Sequence, residues 1–409
     1  MIFEAILNLN VLIYKMLNKI VILNKPQRDF FIEIMFLFLS VKGKLNFLQF
    51  GRYGKFSEQR YRQQFEKKFD FLNFNKNLIL SNGSGSYAIA FDPSYISKSG
   101  TKTYGRDKFW SGVAGAPKFG LEIGGIAAID LDNHTAFHIE ALQTPDYKEL
   151  KEKSITLLDW YANILIHRKD ALTPISKCLV ADAYFSKQPF VDKILLNTDF
   201  HLVSRLRIDA NLKYLSFAPR TGKPGRPTKF AGKINLNNID KEYFTLIENN
   251  EEYSLYQGVV YSKSLKRNIK LVYQEIKNQK EDKYLLFFST DYKQEGIEIY
   301  KIYKSRFQIE FLYRDGKQHT GLTDCQARGQ QKLHFHFNAS LTAINLAKVE
   351  HWLSLPKQER GSFSMANIKT LYNNILLLER FIDVFAVPAY KLKNIHKVKE
   401  LINWGKIAA

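Results

Sequence analysis

In the stretch YKSRFQIEFLYRDGK, Tyr303, Arg306, Glu310 and Lys317 stand at offsets of zero, three, seven and fourteen. At roughly 100° per residue the four fall within an arc of about 60° on a helix. Such a stripe ordinarily carries apolar residues that face a core. Here it carries a phenol, a guanidinium, a carboxylate and an ammonium. Two further carboxylates are placed where a sheet could present them: Asp92 closes the apolar run SYAIAFD, and Asp182 closes KCLVAD. Sites in α/β proteins usually lie at such carboxyl edges. Three convergent carboxylates can hold two divalent ions roughly 3.5–4 Å apart, which activate the attacking oxygen and stabilise the leaving oxygen of a phosphoryl displacement. Hard oxygen donors favour Mg2+, with Mn2+ as its substitute. An Asp after a strand is, however, more often a turn former or helix cap. Asp130, Asp132 and Asp291 also follow apolar runs, and spacing does not choose among the five.

Length and composition bound the protein that must position these groups. A chain of 409 residues exceeds one ordinary core, so two or three domains are expected. A hydrophobic content of 45% with 14% aromatics is that of a folded chain. Sixty bases against forty acids give a formal charge of +20, which suits a polyanionic partner, nucleic acid or an anionic membrane, as well as a plain basic surface. Cys178 and Cys325 stand far apart with no CxxC, which argues against a disulfide framework or a cysteine zinc site and fits a reducing cytoplasm. The opening run MIFEAILNLNVLIY lacks the basic start and small-residue cleavage site of a secretory leader. The 12-residue run FFIEIMFLFLSV contains Glu33 and is too short to span a bilayer. No GxxxxGK[ST] phosphate loop occurs, so nucleotide hydrolysis is not indicated, and His334 and His336 read as packing or DNA-facing residues.

Periodicity divides the chain into four kinds of texture. Residues 1–80 read as helical, and 42–71 hold eight bases against three acids, interleaved with aromatics. That segment is either a DNA-binding domain or a solvated basic face over an aromatic core. Residues 81–207 and 281–345 read as an α/β layer with a mixed sheet: three hairpin-like strands, a helix at 147–168, a strand, a helix and a strand. Between them, 208–280 form a β-rich insertion. Its loop PRTGKPGRPTKFAGK, with five bases and no acid, reads as a clamp on DNA through residues such as Arg226 and Lys229 more readily than as a linker. Residues 346–409 read as a helical C-terminal region. Lys98, Lys102 and Arg106, near Asp92, either hold DNA or are surface charge.

The pattern Y-x2-R-x3-E-x6-K resembles the signature of one large branch of the DDE transposases of bacterial insertion sequences. FDPSYISKSGTKTYG and LVADAYFSKQPF look like the regions that carry this family's first and second catalytic Asp. The resemblance covers roughly residues 45 to 345 and selects Asp92 and Asp182 over their rivals. It implies a ribonuclease-H-like core, β-β-β-α-β-α-β-α, with a β-rich insertion before the Glu-bearing helix, and a helical N-terminal domain that binds terminal inverted repeats. It implies that Asp92, Asp182 and Glu310 hold two Mg2+ or Mn2+ ions. Tyr303 and Arg306 would contact phosphates near the 5′ end of the non-transferred strand. Lys317 would do likewise further on, from a loop if Gly316 ends the helix. Relatives that form a DNA hairpin often stack a flipped base on Trp; Trp110, Trp160, Trp352 and Trp404 all lie outside the insertion, which leaves Tyr253 or Tyr256 for that task. The expected protein is a cytoplasmic cut-and-paste transposase acting as a homodimer on inverted repeats and target DNA, without membrane or nucleotide. An inactive DNA-binding derivative and a structure-specific nuclease of the same fold are its rivals.

Overall fold

The computed structural model describes residues 2–20, 23–216, 229–277, 284–386, 388 and 396–407, with side chains from residue 7 onward. Among these, the chain opens with helices α1 (Ile2–Leu17), α2 (Lys25–Ser40), α3 (Phe47–Tyr53), α4 (Glu58–Gln64) and α5 (Phe71–Asn82). Strands β1 (Tyr87–Ser97), β2 (Asp107–Ser111), β3 (Ala116–Asp130) and β4 (Thr135–Gln143) follow. Helices α6 (Tyr147–Glu152), α7 (Leu157–Ile166) and α8 (Lys169–Leu172) lead to β5 (Cys178–Val180), α9 (Gln188–Asn197) and β6 (His201–Leu206). Next come β7 (Leu212–Leu215), β8 (Phe230–Lys233), β9 (Thr245–Asn249), β10 (Tyr253–Ser262), β11 (Arg267–Ile276) and β12 (Tyr284–Ser289). The last helices are α10 (Gly296–Ser305), α11 (Gln308–His319), α12 (Gln330–Lys348), α13 (Met365–Val384) and α14 (His396–Asn403).

Local sequence explains several boundaries. Asn24 and Gln27 form a capping box at the start of α2, where a proline occupies the first turn. Thr156 and Asp159 form another at α7. With Ser154 at φ +52°, that box splits the helix expected over 147–168 into α6 and α7. The short β2 was not anticipated.

Tertiary contacts divide the chain into two compact units whose limits cut across the sequence intervals. One comprises Met1–Gly85, Pro93–Glu149 and Gln308–Ala409. In it, β3 pairs antiparallel with β4 from Ile123↔Gln143 to Asp130↔Thr135, and β2 pairs with β3. The other edge of β4 is met by α12. Asn345 accepts from the His138 N–H (2.8 Å) and donates to the His138 carbonyl (2.7 Å). Asn338 does the same for Ala141 (2.8 and 2.9 Å), and Lys348 donates to the Ala136 carbonyl (2.7 Å). The spacing explains the fit. Seven residues of helix rise about 10.5 Å, and three residues of strand rise about 10 Å. Each side-chain amide therefore offers a donor and an acceptor where a neighbouring strand would have put them. Asn75 of α5 completes the network by donating to Ile139 O and Thr342 Oγ1.

The aromatics of 42–71 lie inside this unit. Phe47, Phe50, Tyr61 and Phe65 are buried, Phe65 packs 4.4 Å from Phe335, and Phe69 stacks 4.0 Å from Phe31. Lys42, Lys44, Arg52, Lys55, Arg60, Lys67 and Lys68 are exposed. Most rings of this segment are therefore core, while Tyr53 is exposed.

The second unit comprises Ser86–Asp92 and Leu150–Phe307. The first half of β1 pairs parallel with β5, and β5 pairs parallel with β6. From β6 the sheet continues antiparallel through β12, β11, β10, β7 and β8, with β9 also on β10. The described strands of 208–280 thus extend this mixed sheet through the β11–β12 pairing.

Two outcomes are expected. Asn345→Leu strands the N–H and C=O of His138 in the core, at about 1–3 kcal/mol for each unsatisfied group. Urea unfolding should show a loss of about 2–6 kcal/mol, against little change for an exposed control. Burial also pushes Lys348 down to about 8 and Lys369 to about 7. Between about pH 8 and 10 the unfolded chain then binds more protons than the native one, so stability should rise with pH in that window. Above it the slope should reverse, because burial holds Tyr61 and Tyr372 protonated after the unfolded phenols ionise. Melting temperatures at intervals across pH 7–11 check both limbs.

Candidate active site

The second unit builds one row of functional side chains from strand register alone. Ile89↔Leu179 and Ala90↔Val180 are partners across β1–β5, and continuing that register two residues, past the end of β5 at Val180, brings Asp92 level with Asp182. Cys178↔His201 and Val180↔Val203 across β5–β6 place Arg205 opposite Asp182 in the same way. Neighbouring strands lie about 4.8 Å apart, and in-register side chains share a face. The chain stays extended at Asp182 (φ −73°, ψ 176°), whose carboxylate accepts from Tyr184 N (2.9 Å). Its carbonyl accepts from Ser204 Oγ (2.9 Å).

Helix α10 covers this row from its last turn. The Tyr303 ring lies 5.0 Å from Phe287, which pairs with Arg205 across β6–β12. Arg306 places Nη1 3.9 Å from Asp92 Oδ1, with both side chains over four-fifths buried. The guanidinium thus stands where it balances the carboxylate's charge. Burial raises the Tyr303 phenol above its ordinary value; Arg306 and Arg205 pull it down, and Asp182 pushes it up. The phenol therefore remains a neutral donor at physiological pH.

The stripe is not one helix. α10 ends at Ser305, where the Arg306 N–H bonds to the Tyr303 carbonyl three residues back, the tighter bond typical of a helix end. α11 starts at Gln308 and carries Glu310 and Lys317 in the other unit. Glu310 is exposed in the first turn of α11, where the helix dipole favours an acid. Lys317 lies within the helix rather than on a loop, and its Nζ donates to Ser94 Oγ on β1 (3.0 Å). Gly316 does not end α11. It lets the helix approach α12, since a Cβ there would stand 2.9 Å from Leu341 Cδ2. Gly125 of β3 admits Tyr313 of α11 in the same manner, since a Cβ would fall 1.9 Å from the phenol oxygen.

Asp92, Asp182, Tyr303 and Arg306 are thus gathered in one unit, joined by Arg205, which sequence reasoning missed. A base inside the otherwise apolar strand FHLVSRL was the available signal. Among the described residues, no group of three or more His, Cys, Asp or Glu side chains is close enough to hold a metal ion. Of the rival acids, Asp130 accepts from Ser84 and Asn133, and Asp291 from Lys293 N. Tyr256 is buried with Lys241 5.0 Å from its ring, and Tyr253 bonds Glu248 and packs 5.6 Å from Tyr300. Tyr256 is thus enclosed, while Tyr253 is half-buried. Lys229 is exposed just before β8, and Arg226 lies outside the described residues. No described helix is long and apolar enough to cross a membrane.

A family model described as a transposase DDE domain matches residues 84–346, more than half of the sequence. The chain belongs to this family of DDE transposases. No curated protein matches it.

The Gly125–Tyr313 contact gives a direct test of how α11 is seated. Gly125→Ala should displace Tyr313, lower the melting temperature and weaken any activity that needs Glu310. Gly125→Ala combined with Tyr313→Phe should recover part of both, because the clash is led by the phenol oxygen.

Proposed function

We propose that this protein is a metal-dependent DNA transposase that binds terminal inverted repeats, cleaves at the ends of its element and transfers the freed strand to target DNA. The observation that carries the reading is the parallel register that sets Asp92 opposite Asp182, with Arg306 3.9 Å from Asp92. A basic chain of net charge +20 suits the polyanionic substrate. The order β1, β3, β4, α7, β5, α9, β6, followed by further strands and then α11, agrees with a ribonuclease-H-like core interrupted by an insertion. On this reading residues 1–80 bind DNA, 81–207 and 281–345 form the catalytic core, 208–280 the insertion and 346–409 a helical C-terminal region.

Asp92, Asp182 and Glu310 are the proposed metal-holding residues. The first two fit that role by their hard oxygen donors on neighbouring strand segments. Mg2+ or Mn2+ ions held there would supply activation of the attacking oxygen and stabilisation of the leaving oxygen. Arg306 and Arg205 bring guanidinium forks suited to phosphate oxygens. Tyr303 supplies a neutral hydroxyl donor, and Lys317 a mobile ammonium tethered to Ser94. Two copies would hold the two ends of the element.

The test is cleavage of labelled DNA that carries the element's own flanking end, with Mg2+ or Mn2+, by the wild type, Asp92→Asn and Asp182→Ala. Nicking at the end by the wild type, falling below detection in both variants and without metal, is expected. Tight end-specific binding without nicking by the wild type would point instead to an inactive derivative. Cutting that follows DNA shape rather than end sequence would point to a nuclease.

A further inference from the structure

A second polar recess lies in the unit that contains β3 and β4. It is a cavity of about 370 Å3 walled by the loop after β1 (Ser97, Lys98, Ser99, Gly100, Thr103), by Lys44, and by the segment between α11 and α12 (Thr323 to Arg328). Three cations, Lys44, Lys98 and Arg328, line it against one carboxylate, Asp324, which already accepts from Leu45 N (2.9 Å). Ser97, Ser99, Thr103, Thr323 and Gln326 are the other polar residues of its wall.

Three details indicate that the recess is built for an anion. Thr103 is only 6% exposed, yet its Oγ1 makes no hydrogen bond. A buried hydroxyl left unmatched costs about 1–3 kcal/mol, so a ligand that pairs with it gains by that much. Gly100 keeps the floor open, since a Cβ there would stand 3.0 Å from that oxygen. Lys98 donates to the Cys325 carbonyl, and burial holds its ammonium below the ordinary lysine value, a penalty that a bound anion offsets. Lys44 and Arg328 are exposed at the rim, where they can reach an incoming charge.

We propose that this cavity is a phosphate site that seats a phosphodiester of the DNA backbone. The inference rests on DNA being the substrate, but not on the chain's cutting it. Three cations with hydroxyl donors match a singly charged phosphodiester and its non-bridging oxygens. Spacing along β1 supports a backbone track. Ser94, which receives Lys317, precedes Ser97 by three residues, about 10 Å of strand. That is the axial rise of about three nucleotides at 3.4 Å each.

The experiment measures binding of the full chain to labelled duplex DNA across 50–300 mM salt for the wild type, Thr103→Val and the double variant Lys44→Gln/Arg328→Gln. The double variant should bind more weakly, and its plot of log affinity against log salt should be shallower by about 1, the signature of one lost phosphate contact. Thr103→Val, which removes the unmatched hydroxyl, should melt at or above the wild-type temperature and bind DNA several-fold more weakly. Unchanged affinity and slope in both variants would overturn the proposal. Inorganic phosphate separates the sources: if it saturates the wild type at micromolar concentration while the DNA slopes stay unchanged, the site serves a free anion and the proposal fails. Altered slopes in a chain that binds DNA but never cuts it would sustain this site while overturning the cleavage reading. Absence of any DNA binding would overturn both.

Discussion

Parallel pairing of β1 with β5 is the constraint on which the candidate active site depends. Side chains alternate faces along a strand, so a slip of one residue would turn Asp92 away from Asp182. The apolar neighbours prevent that slip. Ile89, Ala90, Leu179 and Val180 are fully buried, and exchanging faces would unpack all four at once. Core burial sets the register, and the register sets the chemistry, including the position of Arg205 one strand further on.

In the other unit the governing problem is a strand edge. β4 pairs with β3 on one side and lies in the interior on the other, where unpaired N–H and C=O groups would be costly. Asn338, Asn345 and Lys348 of α12 and Asn75 of α5 meet that edge with side-chain donors and acceptors. The same helix is buried from Phe335 to Lys348, so its polar residues are core members by virtue of being paired. This network anchors the helix against which Gly316 lets α11 pack, and α11 carries Glu310. A structural hydrogen-bond requirement thus stands behind the placement of a candidate metal ligand.

Charge follows a similar division of labour. Most of the excess of bases lies outside the carboxylate row, yet that row needs positive groups of its own. Two neighbouring carboxylates repel, and Arg306, set against Asp92, brings compensating charge, while both Arg306 and Arg205 pull on the Tyr303 phenol. The break after Ser305 then matters. It leaves Tyr303 and Arg306 anchored by the sheet of one unit, and Glu310 and Lys317 by the helices and β1 of the other.

Element types were largely legible from periodicity: the helical start, the strand leading to Asp182, the β-rich stretch and the long final helices, whereas the strand expected to close at Asp92 runs on to Ser97. These depend on local alternation of apolar residues and on caps, both of which are properties of adjacent residues. The stripe of Tyr303, Arg306, Glu310 and Lys317 was legible as a motif but not as two helices. An αR residue such as Arg306 carries no breaker signal, and the interruption is set by what each segment packs on. The basic-aromatic segment shows the same limit, because composition could not reveal that its rings meet Phe31 and Phe335 from distant parts of the chain. Sequence by itself determined which residues could do chemistry and on which kinds of element they stand. Tertiary structure alone decided which of them face one another, because register and helix packing depend on buried contacts between residues far apart in the chain, which spacing does not encode.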